Sequence, residues 1–167
     1  DRELTEVFEL QEEIAKSIAA ALRIKLSDTD EKQIALKYKG DLKAYECYLK
    51  GRSYFYKYTK QDLLAAVQMF KNALSEDPNY ALAYAGLADS YVQMLDRYYE
   101  TDKSILDKAE ESAQKALNID PLCAEAYKAL GLVYYKQWRF QKSREQLLKA
   151  LELNPGYAPA RSNLAST

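Results

Sequence analysis

Histidine is absent from the 167-residue chain. That single absence removes the commonest general base, metal ligand and near-neutral proton switch together. Glycine and proline are scarce, at five and four residues, which argues against a loop-rich β architecture and for long helices. Two cysteines, Cys47 and Cys123, stand 76 positions apart with no CxxC pair; they read as reduced, buried or half-buried thiols. No apolar run approaches the ~18 residues of a membrane span, and no signal-peptide pattern is present, so the expected location is the cytoplasm. A Gly-rich phosphate loop, a paired-cysteine metal site and an EF-hand string are also missing. No catalytic residue, metal site or cofactor is expected.

What the chain does contain is enough for a core: 48% apolar and 29% charged residues. A net charge of −1 points to no polyanionic partner for the whole chain. Locally the charge alternates, with −5 over residues 1–31, +5 over 37–60, −7 over 61–127 and +5 over 128–149. Alternation of this kind suits neighbouring units that attract one another, or a patterned binding face.

Residues 4 to 26 carry apolar side chains at steps of three and four, the stripe of an amphipathic helix. Acidic residues fill its first half and Arg23 and Lys25 its end, matching the helix dipole. Residues 27–30, Ser-Asp-Thr-Asp, are expected to stop it and to cap a short helix through about Leu36. Beyond that point the chain repeats. Before Pro78, Pro121 and Pro155 the offsets −12, −8, −5 and −4 hold Ala66, Phe70, Ala73 and Leu74, then Ala109, Ala113, Ala116 and Leu117, then Ser143, Leu147, Ala150 and Leu151. Small residues at two offsets let helices approach closely, and the residue between them fills the gap. Ala81-x-Ala83-Tyr84-x-x-Leu87 recurs as Ala124-x-Ala126-Tyr127-x-x-Leu130 and as Ala158-x-Ala160-Arg161-x-x-Leu164. The first unit is looser: a first helix is expected from about Leu42 to Lys57 behind Asp41, then a second, capped by Thr59 and ending near Glu76. The second unit is nine residues longer than the third, and the excess falls in Leu95–Ser104. Either its helices are longer or a loop with exposed Tyr98 and Tyr99 projects.

The 34-residue stretch Ala124–Tyr157, AEAYKALGLVYYKQWRFQKSREQLLKALELNPGY, resembles the tetratricopeptide repeat. The resemblance implies an all-α fold, a right-handed superhelix of antiparallel helix pairs, here with an extra N-terminal amphipathic helix. It divides the chain into a leading helix and linker, 1–36, and an array, 37–167, with repeats at about 41–78, 79–121 and 122–157 and a partial repeat at 158–167. The first 55 residues also resemble the junction in bacterial multidomain signalling proteins between a TolB-like domain and such repeats. Those proteins also carry adenylate cyclase, kinase or winged-helix domains. On that reading the sequence is a piece of a longer protein.

In this family the concave groove binds a peptide or partner helix through the first helix of each pair. Carried onto this chain, the groove residues are Tyr45, Tyr48, Arg52, Phe55 and Tyr56 in the first repeat. Asp89 and Gln93 follow in the second, and Lys128, Leu132, Tyr135 and Lys136 in the third. The Asn positions of the family's carboxylate clamp hold Arg52 and Gly86, so the clamp is absent in its usual form. The leading helix is an alternative cover for the first third of the groove. The partner is therefore expected to be a protein or peptide, in a scaffolding or regulatory role. Self-association through the leading helix or the C-terminal end is the alternative. Three other motifs read as structural. Ser112-Ala-Gln-Lys115 matches SxxK without its companion strings. Asp28-Thr-Asp30-Glu31 reads as a helix cap rather than a cation site. The aromatic and basic mixture of 37–60 could stack on single-stranded nucleic acid, but its aromatics have packing duties, and no nucleic-acid partner is expected.

Overall fold

The computed structural model describes residues 28–97, 99 and 102–167, and of residues 28–41 the backbone alone. The expected leading amphipathic helix lies outside the described residues. The chain divides into two compact units, Asp1–Lys39 and Gly40–Thr167. Among the described residues seven helices follow one another: α1 (Asp28–Phe55), α2 (Lys60–Glu76), α3 (Ala81–Asp96), α4 (Ile105–Ile119), α5 (Ala124–Lys136), α6 (Phe140–Leu153) and α7 (Ala158–Ala165). No strand occurs among the described residues. A helix starting at Asp28 agrees with the expected cap, but the expected break before Leu42 does not occur, because α1 continues to Phe55. A lone glycine in a helix interior costs only about 1 kcal/mol, and Gly40 is flanked by lysine, tyrosine and leucine, which sustain the helix.

Local chemistry sets the other ends. Thr59 caps α2, its Oγ1 accepting from the Asp62 N–H at 3.1 Å, as its position implied. Before α3 and α5 the chain turns at Asp77-Pro78 and Asp120-Pro121. Each carboxylate accepts from the backbone N–H two residues on, at 2.9 Å in both cases. Proline cannot prolong the preceding helix, and the Asx turn starts the next one in register.

The helices pair α3 with α4 and α5 with α6, and successive pairs stack through α2 on α3 and α4 on α5. First helices also touch their successors, α3 on α5 and α5 on α7, whereas α2 and α4, and α4 and α6, make no such contact. Rows in contact on one side and separated on the other bend the stack, with the first helices on the inside of the curve. The filler positions set the spacing. Phe70 is fully buried, and a Cβ added at Gly51 or at Gly86 would stand 2.7 or 2.6 Å from its ring. In the next pair Ala113 packs in one core with Ala88 and Ala129. In the third, Leu147 faces Gly131, whose carbonyl accepts from Ser143 Oγ at 2.7 Å. Large fillers meet glycine, and small ones meet alanine.

The nine extra residues of the second pair are divided. Helix α3 has 16 residues against 13 in α5, and α4 has 15 against 14 in α6. The remaining five lie in the connection 97–104, which is longer than its counterpart 137–139. Tyr99 does not project. It is half-buried against the first core, and its hydroxyl donates to the Tyr58 carbonyl at 3.2 Å. The connection is thereby fastened back to the first pair.

Candidate partner-binding groove

Helices α1, α3 and α5 carry the groove residues read from the sequence except Tyr56, which stands just past the end of α1, and most of those side chains fall into two clusters. The first centres on Arg52. Its guanidinium lies 5.9 Å from the Tyr48 ring centre and 5.0 Å from that of Tyr56, and it donates to both hydroxyls, at 3.3 Å to Tyr48. Tyr56 is 54% exposed. Tyr48, by contrast, is buried between Phe70 and Tyr80, and burial pushes its hydroxyl pKa up. Phe55 is buried as well, and Tyr45 is half-buried against the same core. These three side chains belong to the packing of the first pair.

Asp89 and Lys128 form an ion pair between α3 and α5, and both are buried, at 7% and 6% exposure. Asp89 Oδ2 accepts from the lysine, while Oδ1 has no hydrogen-bond partner. Lys128 is thus not the solvated cation that a long basic side chain on a helix usually is. Lys136 pairs with Asp96 across the same two helices at a more exposed place.

The second cluster surrounds a depression of about 260 Å³ between α3, α5, α6 and α7. Its walls include Gln93, Leu132, Tyr135 and Lys136 from the sequence reading, together with Asp96 and Asn163. Tyr157 was missed. It follows α6 and is half-buried, and its hydroxyl pKa is raised strongly by burial and then by the negative charges of Asp89 and Glu125. Its signal was present, since Tyr80 and Tyr157 both stand two residues after a repeat-closing proline, and Tyr80 stacks on Tyr48.

The SxxK match carries no nucleophile pair. Ser112 Oγ donates to the Lys108 carbonyl at 2.7 Å, and Lys115 pairs with Glu111 at 2.7 Å. The residues suspected as a cation site, 28–31, have no described side chains. Among the described residues no cluster of metal-ligating groups occurs, and no helix is long and apolar enough to cross a membrane.

Residues 124–157 match the sequence profile of the family described as Tetratricopeptide repeat. That segment is a tetratricopeptide repeat. The array is similar to the Arabidopsis OM64 TPR domain, with a TM-score of 0.60 at 18% identity, over 76% of this chain and 95% of that one. It is similar also to the first TPR of Spaghetti (RPAP3) bound to HSP90 peptide SRMEEVD, with a TM-score of 0.59 at 19% identity, over 75% of this chain and 90% of that one. These likenesses establish the solenoid fold. In sequence the chain is 28% identical over 133 residues to "Putative adenylate cyclase 3" of Rhizobium meliloti (strain 1021), 79% of this chain but 23% of that protein. The chain therefore spans about a quarter of that relative's length.

Proposed function

We propose that this tetratricopeptide-repeat chain is a non-catalytic interaction module that holds a peptide or partner helix along the inner face of its curve. Its role is scaffolding or regulation within a larger bacterial signalling protein. The observation that supports the reading is the depression of about 260 Å³, whose walls include Gln93, Leu132, Tyr135 and Lys136 from the first helices of successive pairs. Tyrosine supplies contact area at low entropic cost. The RPAP3 neighbour's HSP90 peptide supports the mode, and the adenylate cyclase relative supports the signalling context.

The ligand's chemistry follows from what fills the family's clamp positions. A side chain at Gly86 would crowd the Phe70 ring, which stands 2.6 Å from where its Cβ would lie. Lys128 is already neutralised by Asp89. A free terminal carboxylate thus finds no usual grip, and recognition falls to aromatic contact and to exchange of the Lys136–Asp96 pair.

The test is affinity capture with Tyr56→Ala/Tyr135→Ala. Tyr48 is unsuitable, because its truncation would open the core around Phe70. A folded double variant is expected to lose the partners that the parent chain retains. Capture of the same partners at the same yield would sink the reading.

A further inference from the structure

Trp138 is the chain's single tryptophan and is 77% exposed. Its backbone is left-handed, with φ 63°, a conformation that glycine takes freely and a bulky residue rarely does. Tyr58, at the matching turn between α1 and α2, shares it with φ 58°. There the ring is held. Phe55 lies 5.4 Å away, the Arg97 guanidinium sits 4.4 Å over the face, and Tyr99 donates to the carbonyl. Packing accounts for Tyr58. It does not account for Trp138, whose one described ring contact is Phe140 at 5.8 Å, itself 41% exposed. Phe140 in turn meets Tyr135 at 5.6 Å, and Tyr135 is a wall of the depression. An aromatic strip therefore runs from an exposed turn into a concave surface.

The surroundings are basic. Of the six cations in residues 128–149, Lys128, Lys136 and Lys149 pair with Asp89, Asp96 and Glu152, and Glu110 accepts from Gln137, so the positive character rests on Arg139, Lys142 and Arg144. Helix α6 has no acidic residue in its first turn and no side-chain cap; instead Arg139 precedes it and Lys142 and Arg144 follow. Cations at a helix N-terminus oppose the dipole. Arg139 lies 4.5 Å over the Tyr134 ring, whereas Lys142 and Arg144 are exposed and unpaired among the described residues. Arg144 stands one helical turn beyond Phe140 and shares its face.

We propose that Trp138, Phe140 and Tyr135, with Arg139 and Arg144, form a docking surface for an acidic segment of a partner protein that also carries an apolar side chain. Tryptophan, tyrosine and arginine are the residues that dominate interface energies, and the positive border matches an acidic chain. The strained backbone and the unfavourable cations are costs that the free chain leaves uncompensated and a bound acidic segment would offset. A strip continuous with a depression suits a narrow chain rather than a flat bilayer. This surface is independent of the Arg52–Tyr56 end of the groove.

The lone tryptophan makes the proposal measurable. The probe is a synthetic peptide of glutamates interspersed with phenylalanine and proline, and the control is its lysine-for-glutamate counterpart. The acidic peptide is expected to shift Trp138 emission to shorter wavelength and shield it from acrylamide, the lysine counterpart to do neither, and Arg144→Glu to abolish the shift. Trp138→Gly is expected to keep or raise the Tm while weakening binding of the labelled peptide about tenfold, the size of an interface anchor. Tyr56→Ala is expected to leave the shift intact, which separates this surface from the groove. No shift at millimolar peptide, or an equal shift with the lysine peptide, overturns the proposal. So does a shift with phosphatidylserine vesicles or oligo(dT) but not with the peptide. Loss of the shift in Tyr56→Ala, or a lowered Tm in Trp138→Gly, overturns it as well.

Discussion

Replacing Gly86 by alanine sets two effects of opposite sign against each other. Helix α3 would gain about 1 kcal/mol from the better helix former. The new methyl would stand 2.6, 2.7 and 2.9 Å from three carbons of the Phe70 ring. The ring has little room to retreat, since it is fully buried and lies so close to Gly51 on its other side that a Cβ there would also stand 2.7 Å from it. Overpacking of this kind costs roughly 1–3 kcal/mol or somewhat more. The expected balance is a loss of about 1–2 kcal/mol. The chain's own third pair shows how to reverse it: Leu147 at the place of Phe70 faces Gly131 on one side but shares a depression with Asn163, at the place of Gly86, on the other. In a Phe70→Leu background the clash with residue 86 disappears, and Gly86→Ala should become stabilising by up to about 1 kcal/mol. Urea unfolding followed by far-ultraviolet circular dichroism measures all four corners of the cycle, with a constant slope guarding against partial unfolding of the array. Stabilisation by Gly86→Ala in the parent chain would refute the reasoning. Equal effects in both backgrounds, additive within about 0.5 kcal/mol, would refute it too.

Other expectations follow from single contacts. Lys128→Met leaves Asp89 buried and unpaired and should cost about 3 kcal/mol, most of it restored in Lys128→Met/Asp89→Leu; urea midpoints decide. Burial raises the Cys123 thiol from 9.0 to about 11, so at pH 8 it should resist iodoacetamide until the chain unfolds, as mass spectrometry of the alkylated protein would show. Because the folded value is the higher one, the unfolded chain releases this proton first as pH rises. The stability contribution is complete below about pH 9 and is lost towards pH 11, an effect that a Cys123→Ala comparison of midpoints against pH isolates. Tyr99→Phe removes the bond to the Tyr58 carbonyl and should cost about 1 kcal/mol by the same unfolding assay.

The repeat was legible because packing writes itself into sequence at fixed offsets. Ala66, Ala109 and Ser143 must be small for helices to approach, and Pro78, Pro121 and Pro155 must end what precedes them. Even the exchange of Phe70 with two glycines for Ala113 with two alanines was there to be read. Pairings between repeats were less legible. Asp89 and Lys128 lie 39 positions apart, and nothing at either position distinguishes a buried partner from a solvated charge. Tyr48 and Phe55 sit at groove positions by register, yet the looser first pair turns them into its core. The continuity of α1 was hidden because Gly40-Asp41 reads as a stop, although its cost is small beside that of a whole helix.

The bond from Tyr99 to the Tyr58 carbonyl has a mechanical consequence. It ties the long connection of the second pair to the turn of the first, so relative rotation of those two pairs must break a hydrogen bond and unstack Tyr58 from Arg97. Side chains tie the second and third pairs near their turns as well: Gln137 donates to Glu110 at 3.1 Å, and Lys136 pairs with Asp96. Under load the three pairs should therefore resist relative twist together. Pulling should open the array first at α7, which packs on α5 and α6 alone, and a ligand lying along the curve would brace that end.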